Sequence, residues 1–483
     1  MNRGSKIKGS FGSPARLSVL VALLMAGLAA SLGLAPAASA YAAETIASID
    51  EVGAIDLDAD AVNPSTMVLV DERYLYVANE GIGGSEESAK PSVYVVDLTT
   101  DETVERIWFE DIDSILADLY QGSDGNLYAS FPDVVFLVVI DPSKPVGKKV
   151  FKEVDLNDAT GVTGIYNQSM AIANDTIFVA DDDSTAGVIM MPLDGKGSVS
   201  TYPLSDDAKT GIPESLYPLY EGATAQTLTV APDGSFLYVG AHVLLAGTDG
   251  HGMFMAYAIE SDKTLRLEYT LLCEIQELAR AIVVAPQHIY MPSKILTTTK
   301  VEHNIYVFDN DEGTFSAPGK IEAGDPTQTA YLSPDGLLYV THDVDTKGAF
   351  SVIDPSKGEI GEIVYRVDNP DERLVGLAFS ADGTRVYASN LGDSAAQVAP
   401  RVLIYDLTTE QSEDPTLTPT PEEPTPEGAA LSSLPPTGDA QGVLGLTALA
   451  TLLALATLTT LLALTPRLSA RASSRGRTSP LEP

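Results

Sequence analysis

A short strand centred on an aromatic residue recurs seven times along this chain, about once every fifty residues. The copies read YLYVANE at 74–80, NLYASF at 126–131, TIFVADD at 176–182, FLYVGAH at 236–242, HIYMPS at 288–293, LLYVTHD at 337–343 and RVYASN at 385–390. Their aromatics, Tyr76, Tyr128, Phe178, Tyr238, Tyr290, Tyr339 and Tyr387, are separated by 52, 50, 60, 52, 49 and 48 residues. Self-similarity at this period marks a unit that cannot bury its apolar face alone and must stack on copies of itself.

Each unit holds four strand patterns. Four of the copies follow an Asp-Gly turn, at 122–125, 231–234, 333–336 and 380–383. Asp-Gly readily supplies the positive φ that a tight turn between strands needs. After the aromatic strand comes an alternating strand that usually ends in an acid, as in SVYVVDL at 92–98 and AFSVIDP at 349–355. A further strand precedes each turn and another follows each acid. Seven such units predict an all-β, seven-bladed β-propeller over residues 41–407. The last unit stops at Leu407 before a fourth strand, and TIASIDEVGAIDL at 45–57 has the missing pattern. It is expected to complete the seventh blade and close the ring, which removes exposed sheet edges. Six or eight blades stay compatible with the pattern, because the third and fifth units lack the Asp-Gly turn. The SPDG-x-LYV and V-x-VID matches resemble the YVTN/YncE-like and lactonase-like propeller families. That resemblance implies the fold and leaves function open, since such propellers include both enzymes and binding modules.

The two ends read differently. Residues 1–40 carry Lys6, Lys8 and Arg16, then an apolar run from Leu17 to Leu34 and the small-x-small site Ala38-Ser39-Ala40. This is the pattern of a secretory signal peptide. An uncleaved anchor is the competing reading, and the cleavage site argues against it. Residues 408–433 are rich in Pro, Thr and Glu and predict an extended, disordered stalk. Residues 443–464 are apolar apart from threonines and one glycine. A helix of that length spans roughly 33 Å, enough to cross a bilayer. Residues 465–483 carry Arg467, Arg471, Arg475 and Arg477 and predict a basic cytoplasmic tail.

Between stalk and helix stands Leu434-Pro435-Pro436-Thr437-Gly438. This motif at 434–438, with the apolar helix and basic tail after it, resembles the LPXTG cell-wall sorting signal of Gram-positive surface proteins. The resemblance implies that a sortase cuts between Thr437 and Gly438 and passes the Thr437 carbonyl to an amine of the peptidoglycan precursor. The protein would then be secreted and covalently attached to the cell wall, crossing the membrane only before sorting. A plain single-pass membrane protein is the alternative.

With 29 Lys and Arg against 67 Asp and Glu, the net charge is −38. No nucleic-acid partner is expected, because phosphate binding needs a basic face. The lone Cys273, in an apolar run, rules out an internal disulfide and reads as a buried thiol.

Propellers bind at a mouth of the central channel. Counting back five residues from the small residue that opens each turn leads to Gln168, Gln226, Arg280 and Gln328 in four consecutive units. The same count gives Ala117 and Val375 elsewhere, with Ser65 or Thr66 equivalent in the first unit. Long amides and a guanidinium there suit a polar or anionic ligand. His242 and His342 follow their aromatic strands, offset by one residue. With Arg280 they are the candidate catalytic residues of an alternative, lactonase-like or quinoprotein-like enzyme, and with Asp343 and Asp345 nearby they also suggest a metal or acid–base site. Asp181, Asp182 and Asp183, and Asp309 with Asp311, are acidic loop clusters that offer oxygen ligands for Ca2+, though neither has the full twelve-residue calcium-loop pattern. No hydrolase elbow, HExxH or phosphate loop is present. The leading expectation is a monomeric, wall-displayed propeller that binds an extracellular glycan, protein or small molecule. A purely structural wall component is a third.

Overall fold

The computed structural model describes residues 45–410 apart from short loop stretches, the longest being 82–89, 157–166, 296–302 and 393–398. The signal peptide, stalk, sorting motif, apolar segment and basic tail lie outside the described residues. Among the described residues no helix is long and apolar enough to cross a membrane.

Seven antiparallel sheets form seven blades. The innermost strands begin at Pro64, Asp118, Asn167, Tyr220, Glu277, Thr327 and Leu374. Blade five differs in that its inner strand is broken into Glu277–Ala279 and Val283–Val284. The closing strand, Thr45–Asp56, pairs antiparallel with Arg401–Glu410 and is the outermost strand of blade seven. The expected closure is therefore present.

The repeat exists because of what its aromatics do. Tyr76 packs in a cluster shared by blades one and two, and Tyr128 in one shared by blades two and three. Phe178, Tyr238, Tyr290 and Tyr339 continue the series, and Tyr387 packs back against Met67, Leu75 and Val77 of blade one. Seven apolar clusters thus fill seven interfaces, each built around one repeat aromatic. All seven aromatics are buried. Each ring contributes the large area that dominates core energetics.

The turns follow the sequence signals, with one variation. Gly125, Gly234, Gly336 and Gly383 of the Asp-Gly turns have φ between 71° and 85°. Blades one and three use two consecutive non-glycine residues at positive φ, Asp71-Glu72 and Asn174-Asp175. Three of these four are Asn or Asp, which tolerate that region better than other side chains, and Glu72 is the exception; a two-residue hairpin turn thus forms without glycine.

Six of the 67 acidic residues close turns in one recurring way. Asp97, Asp141 and Asp354 close their strands, and each accepts the backbone N–H and the hydroxyl of the Ser or Thr two residues on. Asp233, Asp262 and Asp382 do the same beside other turns. Donors aimed at a carboxylate favour its charged form, and hydroxyl or arginine donors hold Asp97, Asp141, Asp233, Asp262 and Asp382 below the usual carboxylate range.

The step of 60 residues is explained by an insertion between blades three and four. It contains a short helix, Ser205–Gly211, and a 3-10 turn, Glu214–Leu219. Ser205 Oγ accepts from the Ala223 N–H of blade four's inner strand, covering part of its edge.

Candidate functional site

The mouth where the inner strands begin has a repeated irregularity. The ladder between inner and second strands slips between Pro64 and Met67, Asn167 and Met170, Ala225 and Thr227, Thr327 and Thr329, and Leu374 and Leu377. In blade five the inner strand breaks between Ala279 and Val283. The residues left out of register include Gln168, Gln226 and Gln328, and Arg280 falls in the break. These are the positions that counting from the turns picks out. A bulge inserts an unpaired residue and re-aims its side chain.

Gln226 Nε2 donates to Asp182 Oδ1 at 2.9 Å, and Thr224 Oγ1 donates to the same oxygen at 3.0 Å. A residue proposed as a ligand contact and one proposed as a calcium ligand are therefore partners across blades three and four. Burial raises the Asp182 carboxyl, against the Gln226 and Thr224 hydrogen bonds and nearby His242. His242 lies opposite Gly252 in one ladder and Thr224 in the other. Gly250, at φ +85°, leaves room for it: a Cβ there would stand 2.0 Å from His242 Nε2. Gln328 Oε1 is buried without a hydrogen-bond partner. The Gln168 side chain and all of Arg280 lie outside the described residues.

The two candidate histidines have different surroundings. His342 occupies the place that Asn79 fills in blade one, three residues after the repeat aromatic. Asn79 accepts from the Val62 N–H at 2.6 Å and donates to Ser92 Oγ at 3.2 Å. His342 Nδ1 lies 3.4 Å from the Asp325 carbonyl, to which only an N–H can donate, and Nε2 is 2.8 Å from Ser351 Oγ. Both side chains tie the entry to the inner strand to their own blade. Burial and the neighbouring Arg366 charge lower the His342 pKa to about 4, so the ring is neutral. His342 is 1% exposed. The side chain of Asp343 and all of Asp345 lie outside the described residues.

Asp181 is fully buried. Asp309 is exposed, accepts from Ser316 Oγ at 2.5 Å and lies 3.4 Å from His288 Nδ1. Among the described residues no group of three or more His, Cys, Asp or Glu is arranged to hold a metal. Asp183 and Asp311 of the proposed calcium clusters, and Leu434, Pro435, Thr437 and Gly438 of the sorting motif, lie outside the described residues.

Two carboxyls escaped the sequence reading. Burial pushes Glu80 up to about 7, with Ser65 and Arg373 opposing. Burial pushes Asp118 up to about 6, against hydrogen bonds from the Leu119 and Met170 amides and Thr66. A carboxyl whose pKa is higher folded than unfolded contributes stability that is fully present below the unfolded value. That stability is lost as pH rises through the folded value. The depressed turn aspartates act oppositely and lose their contribution below about pH 4. The melting temperature is therefore expected to peak near pH 5 and to fall by a few degrees, roughly 2–4 °C per kcal/mol, between pH 5 and 8. Calorimetry across that range checks it; a melting temperature that rises with pH would contradict it.

Fold and mouth together define a seven-bladed β-propeller with a polar, bulged channel entrance. No protein-family model matches the chain, and no curated protein matches it in sequence. Among solved structures it resembles Kuenenia stuttgartiensis hydrazine synthase, at 14% identity over 74% of this chain and 97% of that one, with a TM-score of 0.50. It also resembles a catalytically inactive virginiamycin B lyase from Staphylococcus aureus with quinupristin, at 11% identity over 75% and 99%, with a TM-score of 0.48. A streptogramin B lyase structure aligns at 10% identity over 75% and 98%, with a TM-score of 0.47. At such identities the likeness is one of fold.

Proposed function

We propose that this chain is a wall-anchored surface protein whose propeller takes a polar extracellular ligand at the bulged mouth. The observation that carries the binding reading is the repeated register slip. Five inner strands interrupt their ladder at one level, and a sixth breaks there. A bulge that served one hairpin would have no reason to recur around a ring, whereas a shared binding mouth gives it one. Anchoring rests on the order of signal peptide, stalk, sorting motif, apolar segment and basic tail in the sequence.

A two-armed experiment tests both halves. Thr437→Ala in the full chain should move the protein from the wall fraction to the membrane or the medium, and unchanged wall linkage refutes the anchor. The 41–433 fragment, screened by saturation-transfer NMR against glycans, peptides and small polar molecules, should yield a ligand. Gln226→Ala should weaken that ligand about tenfold, the cost of one hydrogen bond with its partner left unpaired. Binding indifferent to Gln226 would place the site elsewhere.

A further inference from the structure

Blade four stands taller at the mouth than most of the ring. In blades one, three, six and seven the ladder between inner and second strands ends at the first pair above the slip, at Pro64–Asn79, Asn167–Asp181, Thr327–His342 and Leu374–Asn390. In blade four it runs on from Ala225–Ala241 through Thr224–His242 to Tyr220–Leu245. The four residues of strand from Thr224 to Tyr220 rise roughly 13 Å. The insertion before blade four braces this hairpin. Tyr220 Oη donates to the Ser205 carbonyl, and the Ala246 N–H donates to the Leu219 carbonyl at 2.7 Å.

Four polar side chains meet at the foot of the raised hairpin. Asp182 follows blade three's second strand, Thr176–Asp181, and turns one carboxylate oxygen to blade four. Gln226 Nε2 and Thr224 Oγ1 both donate to that oxygen, Oδ1. A carboxylate only accepts, so Gln226 must turn its nitrogen to Asp182 and its carbonyl away. His242 stands opposite Thr224 in the ladder, and residues directly opposite share a face of the sheet. Thr224 reaches Asp182 from that face, so the imidazole lies on the same side. Thr224 is buried, whereas Asp182, Gln226 and His242 are each partly exposed. Among the described residues no further group donates to Asp182 Oδ2 or to the Gln226 carbonyl. One hydrogen-bonded pair of side chains thus presents two fixed acceptors, with an imidazole on the same face.

We propose that this corner between blades three and four binds a neutral sugar through a pair of adjacent hydroxyls, which donate to Asp182 Oδ2 and the Gln226 carbonyl while His242 bonds to one of them. A hydroxyl donates once and also accepts, so it satisfies a fixed acceptor and still meets an imidazole in either tautomer. An ammonium only donates and has nothing to offer a ring N–H. The net charge of −38 sets up a field that repels anionic ligands and leaves a neutral one indifferent. The raised hairpin gives a small ligand a wall to lie against. The inference rests on the mouth being the binding site and names the chemistry it selects.

Saturation-transfer NMR and isothermal titration of the full-length chain test this with the methyl glycosides of mannose, galactose, glucose and N-acetylglucosamine. At least one should bind, and the best binder distinguishes a simple hexose from an aminosugar of the wall itself. Among its monodeoxy forms, the two that lack one hydroxyl of a single adjacent pair should bind about tenfold more weakly, the loss of one hydrogen bond to a fixed acceptor. Asp182→Asn keeps an acceptor for Gln226 and Thr224 and replaces the other oxygen by a donor. It should weaken the same sugar about tenfold and leave the melting temperature unchanged or higher, because a partly buried charge is removed. His242→Phe should weaken the sugar to a similar degree. No binding by any of the four glycosides, monodeoxy forms that all bind like the parent, or binding indifferent to Asp182→Asn or to His242→Phe would each overturn the inference. If the wider screen still returns a ligand that Gln226→Ala weakens, such as an amine or a peptide, the mouth remains a binding site and only the choice of a sugar is wrong.

Discussion

Removing the closing strand Thr45–Asp56 should leave a chain that does not fold at room temperature. The strand supplies the outer edge of blade seven, paired from Thr45 opposite Glu410 to Asp56 opposite Arg401. It also serves two interfaces at once. Ile46 and Ile49 join the cluster between blades six and seven, and Ile55 joins the cluster between blades seven and one. Three buried isoleucines at about 1.5–3 kcal/mol each amount to roughly 5–9 kcal/mol. That is of the order of a whole domain's net stability. Circular dichroism of a chain beginning at residue 58 should show no cooperative melt, whereas a transition within a few degrees of the intact protein would mean that the ring does not need its clasp. A permuted chain separates loss of the strand from loss of the terminus. Since Thr45 and Glu410 are ladder neighbours, moving 45–57 to follow residue 410 through a two-residue turn should restore the intact melting temperature. The contacts are the same in either connection.

The blade number and the closure were legible because they rest on local signals repeated many times. An aromatic after a branched aliphatic residue, and a turn that needs positive φ, look alike wherever they occur. A fixed count from a fixed turn also lands on Gln168, Gln226, Arg280 and Gln328, which the sequence offered as ligand contacts and not as bulges. What the count could not show is why those residues leave the ladder, because a bulge is a property of two paired strands. The partnership of Gln226 with Asp182 was hidden for a related reason. The two were candidates for different chemistries, and only the packing of blade three on blade four brings them within 2.9 Å.

His342 and His242 show how much one residue of offset changes. One residue of offset turns the first into a buried pin of its own blade and leaves the second beside Asp182. The side-chain period of a strand is two, so an offset of one is decisive. Asp118 carried no signal alone, being one acid among 67 acidic residues in the chain. Its environment is assembled from Thr66, Met170 and Tyr331, which belong to three other blades.

The seam between the last and first blades carries the other large effect, at Gly376. A Cβ on this residue would lie 2.1 Å from the Ser65 carbonyl oxygen and 2.8 Å from its carbon, both backbone atoms of the neighbouring inner strand. The Gly376 N–H donates to Ser389 Oγ at 2.7 Å, and Ser389 Oγ donates to the Ser65 carbonyl at 2.8 Å. One hydroxyl thus ties the two bulges together, and the glycine lets them approach. Neither side can yield by turning a side chain, so a methyl group must separate blade seven from blade one. Ring closure then transmits the displacement to the other interfaces, because a closed ring has no free end to relax. Gly376→Ala should cost about 3 kcal/mol, at the upper end for overpacking, and Gly376→Val should prevent folding. Gly53→Ala is the matched control: its Cβ would meet only Ile404 Cδ1, at 3.9 Å, and it should leave the melting temperature unchanged or slightly higher. Thermal melts of the three variants decide the matter. If Gly376→Ala melts with the parent protein, the seam has slack. The clasp formed by Thr45–Asp56, and not the fit of the inner strands, would then hold blade one to blade seven.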